Sequence, residues 1–173
     1  MATEIIIASD THGRSEYLSQ LEQAYPHADL FIHCGDLEDD ASCFNRWIFV
    51  RGNNDFDFNL DDYKILTIEG MRTYIFHSQR MPYYNREKAL VKLALENDCQ
   101  IVLFGHTHMA MAEKIHGIWL INPGSMTFPR DGNSPCYARM VIEDANHVQV
   151  ELIHQEQWPF ESPQQKKKNR YWF

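Results

Sequence analysis

A chain of 173 residues with 44% apolar and 13% aromatic side chains has the material for one packed domain rather than a disordered polymer. Its net charge of −8 argues against a protein that gathers long nucleic acid by bulk attraction. No apolar run approaches the ~18 residues of a membrane span, and Met1-Ala2-Thr3-Glu4 lacks the basic, apolar start of an export signal, so no membrane partner and a cytoplasmic location are expected.

Ile5-Ile6-Ile7 is a β-branched run that stops at Ser9-Asp10, which predicts a strand buried on both faces. Arg14 to Tyr25 sets Tyr17, Leu18, Leu21 and Ala24 at helical spacing and ends before Pro26. Leu30 to Cys34 and Trp47 to Val50 read as further strands closed by Gly35 and Gly52, and this strand–helix–strand order predicts parallel pairing with right-handed crossovers. Glu38, Asp39 and Asp40 read as the acidic start of a helix. Lys64 to Ile68 and Thr73 to Phe76 flank Glu69-Gly70-Met71-Arg72 as a hairpin, Arg86 to Asn97 is an amphipathic helix, and Ile101 to Phe104 is one more buried strand.

The last third changes character. Met109 to Ile115, Ile118 to Ile121, Cys136 to Ile142 and Val148 to Ile153 are strand-like and joined by turns such as His116-Gly117 and Asp144-Ala145-Asn146, which predicts antiparallel pairing. One domain over residues 1–173 is expected, with two stacked sheets, helices outside, and a polar surface tail from about residue 155. In that tail Lys166-Lys167-Lys168 reads as solvated chain, while Trp158-Pro159-Phe160 and Tyr171-Trp172-Phe173, taken as exposed, point to a homo-oligomer. Cys34, Cys43, Cys99 and Cys136 show no Cys-x-x-Cys spacing, so free thiols are predicted rather than a disulfide frame or zinc knuckle.

Five polar clusters follow the apolar runs: Asp10-Thr11-His12, Gly35-Asp36, Gly52-Asn53-Asn54-Asp55, His77, and Gly105-His106-Thr107-His108. Each alone is ordinary turn chemistry. Together they supply two carboxylates, an amide oxygen and four imidazoles, suited to two divalent ions held close together. In extended backbone, residues i and i+2 point the same way, so Asp10/His12 and His106/His108 are expected to aim paired ligands into one cleft. Loops at the carboxyl ends of strands are where ligands sit in open α/β sheets. His33 reads as a core histidine or a second layer behind the ligands, and His27, His116, His147 and His154 as surface groups.

The order Asp-x-His, Gly-Asp, Gly-Asn-x-Asp, His, Gly-His-x-His resembles the calcineurin-like metallophosphoesterases, from about Ile5 to Arg130, and Asn122-Pro123-Gly124-Ser125 points to their small bacterial and archaeal phosphodiesterase branch. The resemblance implies a four-layer α/β/β/α sandwich of two mixed β-sheets flanked by helices. It assigns one metal to Asp10, His12, Asp36 and His108 and the other to Asp36, Asn53, His77 and His106, with Asp36 bridging. Mixed oxygen and imidazole ligands favour Mn2+, with Fe, Zn, Ni or Co as alternatives. A hydroxide held between the ions would attack a small phosphodiester in line. Asp55 is expected to orient its loop, and the Asn-Pro-Gly-Ser segment to form a tight turn beside the site.

Two positions depart from the family pattern. Asn54 stands where many members carry His, so a substrate contact remains possible there but proton delivery to a leaving group does not. Ser78 follows the ligand His77 where Gly is frequent. Arg130 is a candidate clamp for the substrate anion. A phosphomonoesterase and a protein-binding scaffold of the retromer-subunit type are the rival readings.

Overall fold

Alternation along the buried strands builds the layers of this fold. The computed structural model describes residues 1–161, so Lys166-Lys167-Lys168 and Tyr171-Trp172-Phe173 lie outside the described residues. Strand β1 (Thr3–Ala8) is central to the first sheet; Ile5 and Ile7 face one side, Ile6 and Ala8 the other. The sheet is completed by β2 (Leu30–His33), β3 (Trp47–Phe49), β9 (Cys136–Asp144) and β10 (His147–His154), in the order β10-β9-β1-β2-β3. The second sheet contains β4 (Tyr63–Ile68), β5 (Met71–Phe76), β6 (Ile101–Leu103), β7 (Met111–Ile115) and β8 (Ile118–Asn122), in the order β4-β5-β6-β8-β7.

Between the sheets, Ile5, Ile7 and Ile32 meet Ile75, Ile101, Leu103 and Ile121, so each sheet spends one set of alternate residues on the shared core. The other sets face helices. Helix α1 (Glu16–Ala24) places Tyr17, Leu18 and Leu21 against Ile6, Ala8 and Phe31, while α2 (Arg86–Glu96) places Leu90, Val91 and Ala94 against Tyr74, Val102 and Leu120. The result is the expected α/β/β/α sandwich.

Pairing is mixed in both sheets. Strands β1, β2 and β3 run parallel, as do β5, β6 and β8, whereas β9 runs antiparallel to β1, and β4 and β7 run antiparallel to β5 and β8. Antiparallel pairing of the last third therefore holds for β7–β8 and β9–β10, but β8 joins β6 in parallel and β9 joins β1, about 130 residues away in sequence. Such long-range pairings leave no mark on local periodicity.

Three local expectations are corrected. No helix begins at Glu38; Asp40 alone caps, accepting from Ser42 N–H at the head of a three-residue 3-10 turn, Ala41–Cys43. Residues 155–157 form another 3-10 turn, and Trp158 is buried, its ring edge-on to Tyr17 at 5.6 Å and its Nε1–H donating to Ile153 O. The aromatic stretch expected to be exposed thus closes the α1 side of the core. All four cysteines are free, with only Cys43 exposed. Among the described residues no helix is long and apolar enough to cross a membrane.

Candidate metal centre

Because β1, β2 and β3 are parallel, their carboxyl ends lie along one edge, and the parallel set β5, β6 and β8 presents the same edge of the other sheet. The loops leaving these strands carry Asp10 and His12, Asp36, Asn53, His77, and His106 and His108. The seven side chains meet. His108 Nε2 lies 3.2 Å from Asp10 Oδ1, His12 Nε2 lies 3.8 Å from the same oxygen, and the two Nε2 atoms are 3.1 Å apart. On the other side, His77 Nε2 is 3.3 Å from Asp36 Oδ2 and 3.0 Å from Asn53 Oδ1, which is 3.1 Å from His106 Nδ1. Asp36 Oδ2 also stands 4.0 Å from His12 Nε2, between the two groups. Asp10 Oδ1 reaches the second group too, at 3.7 Å from His77 Nε2.

The backbone route to this convergence differs from the extended one. Asp10, His12, Asp36, His106 and His108 all have φ between 46° and 74°, in the left-handed region. Paired ligands on one loop therefore converge through alternate left-handed residues, a conformation that Asp, Asn and His tolerate better than most and that clusters at functional sites. Two glycines make room. A Cβ on Gly35, at φ +102, would stand 2.7 Å from His77 Nδ1, and one on Gly52 would run into Asp36 Oδ1.

Hydrogen bonds orient Asp10, Asp36, His12, His77 and His108 toward the centre. Asp10 Oδ2 accepts from Ser9 Oγ at 2.6 Å and from His106 N–H at 3.0 Å, while Asp10 Oδ1, fully buried, has no hydrogen-bond partner. His77 Nδ1 is 2.8 Å from Cys34 O and His108 Nδ1 is 2.6 Å from Phe128 O. His12 Nδ1 is 3.1 Å from the Glu38 carboxylate. Those partners only accept, so each Nδ1 carries the proton and each neutral ring turns an Nε2 lone pair inward. Lone pairs on His12 and His108 then face each other, and that of His77 faces carboxylate and amide oxygens. Such a ring of acceptors is repulsive unless a proton or a cation sits among them.

A cation fits. Ligand bonds of ~2.1 Å place neighbouring donors about 3.0 Å apart in an octahedron and about 3.4 Å in a tetrahedron. The inward atoms are separated by 3.0 to 4.0 Å. Asp10, His12 and His108 form one group able to hold an ion, and Asp10, Asp36 and His77 another. Without an ion the charges adjust by proton uptake. Burial lowers the pKa of His77, but its hydrogen bond to Asp36 and the charges of Asp10 and Asp36 outweigh this and raise it. Burial raises Asp36, and its interactions with His77 and the amides of Asn54 outweigh that and hold its carboxyl well below the usual range.

The supporting layer was only partly foreseen. Asp55 accepts from the backbone N–H of Asp36, Glu38 and Gly52, at 2.9, 2.8 and 2.7 Å, and so orients two ligand loops. The turn after Asn122 lies beside the site: Ser125 Oγ donates to Asp10 O and accepts from Thr127 and Phe128 N–H. His33 is buried behind the ligands, 2.9 Å from Thr11 Oγ1, and burial pushes its pKa down to about 4. Ser78, at φ +79, donates from Oγ to Gly105 O. Sequence reasoning missed Ser9 and the contact of Glu38 with His12. A serine before the ligand aspartate was the available signal for Ser9; for Glu38 there was none, since its side chain swings inward only through a left-handed residue at φ 55.

Asn54 donates from N–H to Asp36 Oδ1 at 2.9 Å and from Nδ2 to Asp36 Oδ2 at 3.0 Å. Its amide holds a carboxylate in place. Arg130 is exposed and lines a cleft of about 550 Å³ that opens beside His106.

The family model of the calcineurin-like phosphoesterase superfamily domain matches residues 3–145. The chain belongs to that family. This calcineurin-like chain is 31% identical over 145 residues to a probable metallophosphoesterase of Mycoplasma genitalium, covering 80% of this chain and 87% of the relative. Its structure is similar to that of a conserved uncharacterized protein, a predicted phosphoesterase, from Streptococcus pneumoniae TIGR4, with TM-score 0.82, 26% identity and coverage of 93% and 95% of the two chains. Vps29 of Entamoeba histolytica, solved with bound zinc, shares the fold at TM-score 0.71 and 18% identity, covering 87% of this chain and 98% of that one.

Proposed function

We propose that this calcineurin-like phosphoesterase is a cytoplasmic phosphodiesterase that holds two divalent ions, Mn2+ foremost. The first ion is assigned to Asp10, His12, Asp36 and His108 and the second to Asp36, Asn53, His77 and His106. The observation that carries this reading is Asp10 Oδ1, a buried carboxylate oxygen with no donor, set among inward-turned imidazole nitrogens. When bound, such a pair polarises phosphoryl oxygens and acidifies water toward neutrality, so that hydroxide can attack phosphorus in line.

The chain's own groups define the rest. Asp36 is held by both donors of Asn54, which keeps its Oδ2 between the two groups. Asn54 has no proton to give a leaving group. General acid catalysis contributes typically ~10²–10⁴-fold, so esters whose leaving groups need no proton are the favoured substrates. Acidic side chains Glu38, Asp39, Asp55 and Asp57 line the groove on the Asn54 side. Their field opposes the extra charge of a monoester and supports the diester reading. A Vps29-type scaffold is not favoured, because all seven ligand-bearing residues are retained and converge.

A metal-by-substrate matrix on metal-stripped protein tests this proposal. Bis(4-nitrophenyl) phosphate should be hydrolysed faster than 4-nitrophenyl phosphate when Mn2+ is restored, and dialkyl diesters should be poor substrates. Equal rates on alkyl and nitrophenyl diesters, with chemistry limiting, would remove the argument from Asn54. Absence of hydrolysis with every divalent ion would remove the enzyme reading.

A further inference from the structure

Two unlike grooves flank the seven converging residues. On the Asn54 side the groove is acidic, with Glu38, Asp39, Asp55 and Asp57 in about 350 Å³. On the His106 side the cleft is larger, about 550 Å³, and its wall includes Tyr83, Leu90, Phe104, Met109, Met111 and Arg130. That volume falls in the range of pockets that enclose a drug-sized ligand, roughly 300–1,000 Å³. Leu90 and Phe104 form its buried floor, while Tyr83 and Met109 are 80% and 50% exposed at its mouth.

We infer that this cleft receives the base of a nucleoside that is linked to phosphorus through its ribose and stays on it when the other ester group leaves, and is the specificity site of the enzyme; the inference rests on the phosphodiester reading above. These two grooves offer unlike surroundings to a substituent on a phosphate held near His106. The acidic groove repels an anionic continuation, which favours, over a polynucleotide extended through it, a short ester placed on the other side. There, two thioethers and a tyrosine ring offer polarisable contacts to a flat π system. Glu87 and Glu113 at the cleft's edge can accept from exocyclic amino groups. Among the described residues the Arg130 side chain makes no hydrogen bond or ion pair, so it is free to stack on a base or meet a phosphate. Arg86, by contrast, is occupied by the carbonyls of Ser78, Met81 and Pro82.

Titration calorimetry on the Mn2+-loaded full chain tests the inference with AMP and glycerol 3-phosphate, which carry the same phosphate charge. AMP should bind about 10-fold more tightly, the size of one base-stacking contact. Tyr83→Ala and Met111→Ser should each bring the ratio to about 3-fold or less. Tyr83 is exposed, so its variant tests the cleft even if Met111→Ser fails to fold. Equal affinities in the unaltered protein, or an unchanged ratio in both variants, overturn the inference. If inorganic phosphate binds and bis(4-nitrophenyl) phosphate is hydrolysed while AMP shows no preference, the cleft assignment alone falls. If neither phosphate nor either ester binds, the phosphodiester reading falls with it.

Discussion

Replacing Asp10 with Asn should make the metal-free protein more stable while abolishing its response to metal. Oδ2 already accepts two hydrogen bonds, from Ser9 and His106, and an amide oxygen can retain both. The amide nitrogen would then occupy the position of Oδ1, which has no donor, and would face His108 Nε2 at 3.2 Å as a hydrogen-bond donor. An unsatisfied buried polar atom costs about 1–3 kcal/mol. Satisfying it should raise the midpoint of thermal unfolding by several degrees, at about 2–4 °C per kcal/mol for a chain of this size. The comparison belongs in alkaline buffer, where loss of the His77 proton leaves Asp10 with less cationic charge to lose. Melting is followed by circular dichroism after EDTA treatment, with and without Mn2+. The unaltered protein should gain about 3 kcal/mol at a hundredfold excess of metal over Kd, and Asp10→Asn should gain nothing. A lower melting point for the metal-free variant, or an undiminished metal response, would refute the reasoning.

Asp55→Ala removes one acceptor pair from three backbone N–H groups and should cost about 2–3 kcal/mol in urea unfolding; Asp55→Asn should recover part of it. Glu38→Gln replaces the carboxylate against His12 Nδ1 and should weaken Mn2+ binding about 10-fold by calorimetry, as for other partners of ligand histidines. The metal-free protein should lose stability in acid, because Asp10 and Asp36 have lowered pKa values: their contribution is full above the ordinary carboxylate value and disappears as pH falls through the folded ones. His77 acts in the opposite sense, since its raised pKa contributes below the ordinary histidine value and is lost as pH rises through the folded one. Metal must displace that proton, so Mn2+ affinity should increase with pH across the neutral range; a flat profile would contradict the ligand role of His77.

The sandwich was legible where local pattern decides structure. Ile5-Ile6-Ile7 could only serve two faces at once, and the helical spacing of Tyr17, Leu18 and Leu21 had one apolar stripe to bury. The seven converging residues were legible because each follows a strand and all those strands point the same way. Partnership across long sequence distances was not legible, and so the places of β8 and β9 were not. Trp158 reads as exposed among polar neighbours, yet it closes a gap between α1 and the first sheet that only the folded chain creates. The left-handed turns at Asp10, His12, His106 and His108 escape periodicity altogether, since they are set by loops packed against one another. Glu38 is hidden for the same reason.

Anomalous diffraction from crystals grown with Mn2+ addresses the shared carboxylate most directly. Two peaks per chain should appear about 3.5–4 Å apart, one among Asp10, His12 and His108 and the other among Asn53, His77 and His106, with Asp36 touching both. A single peak, or peaks outside this cluster, would contradict the account.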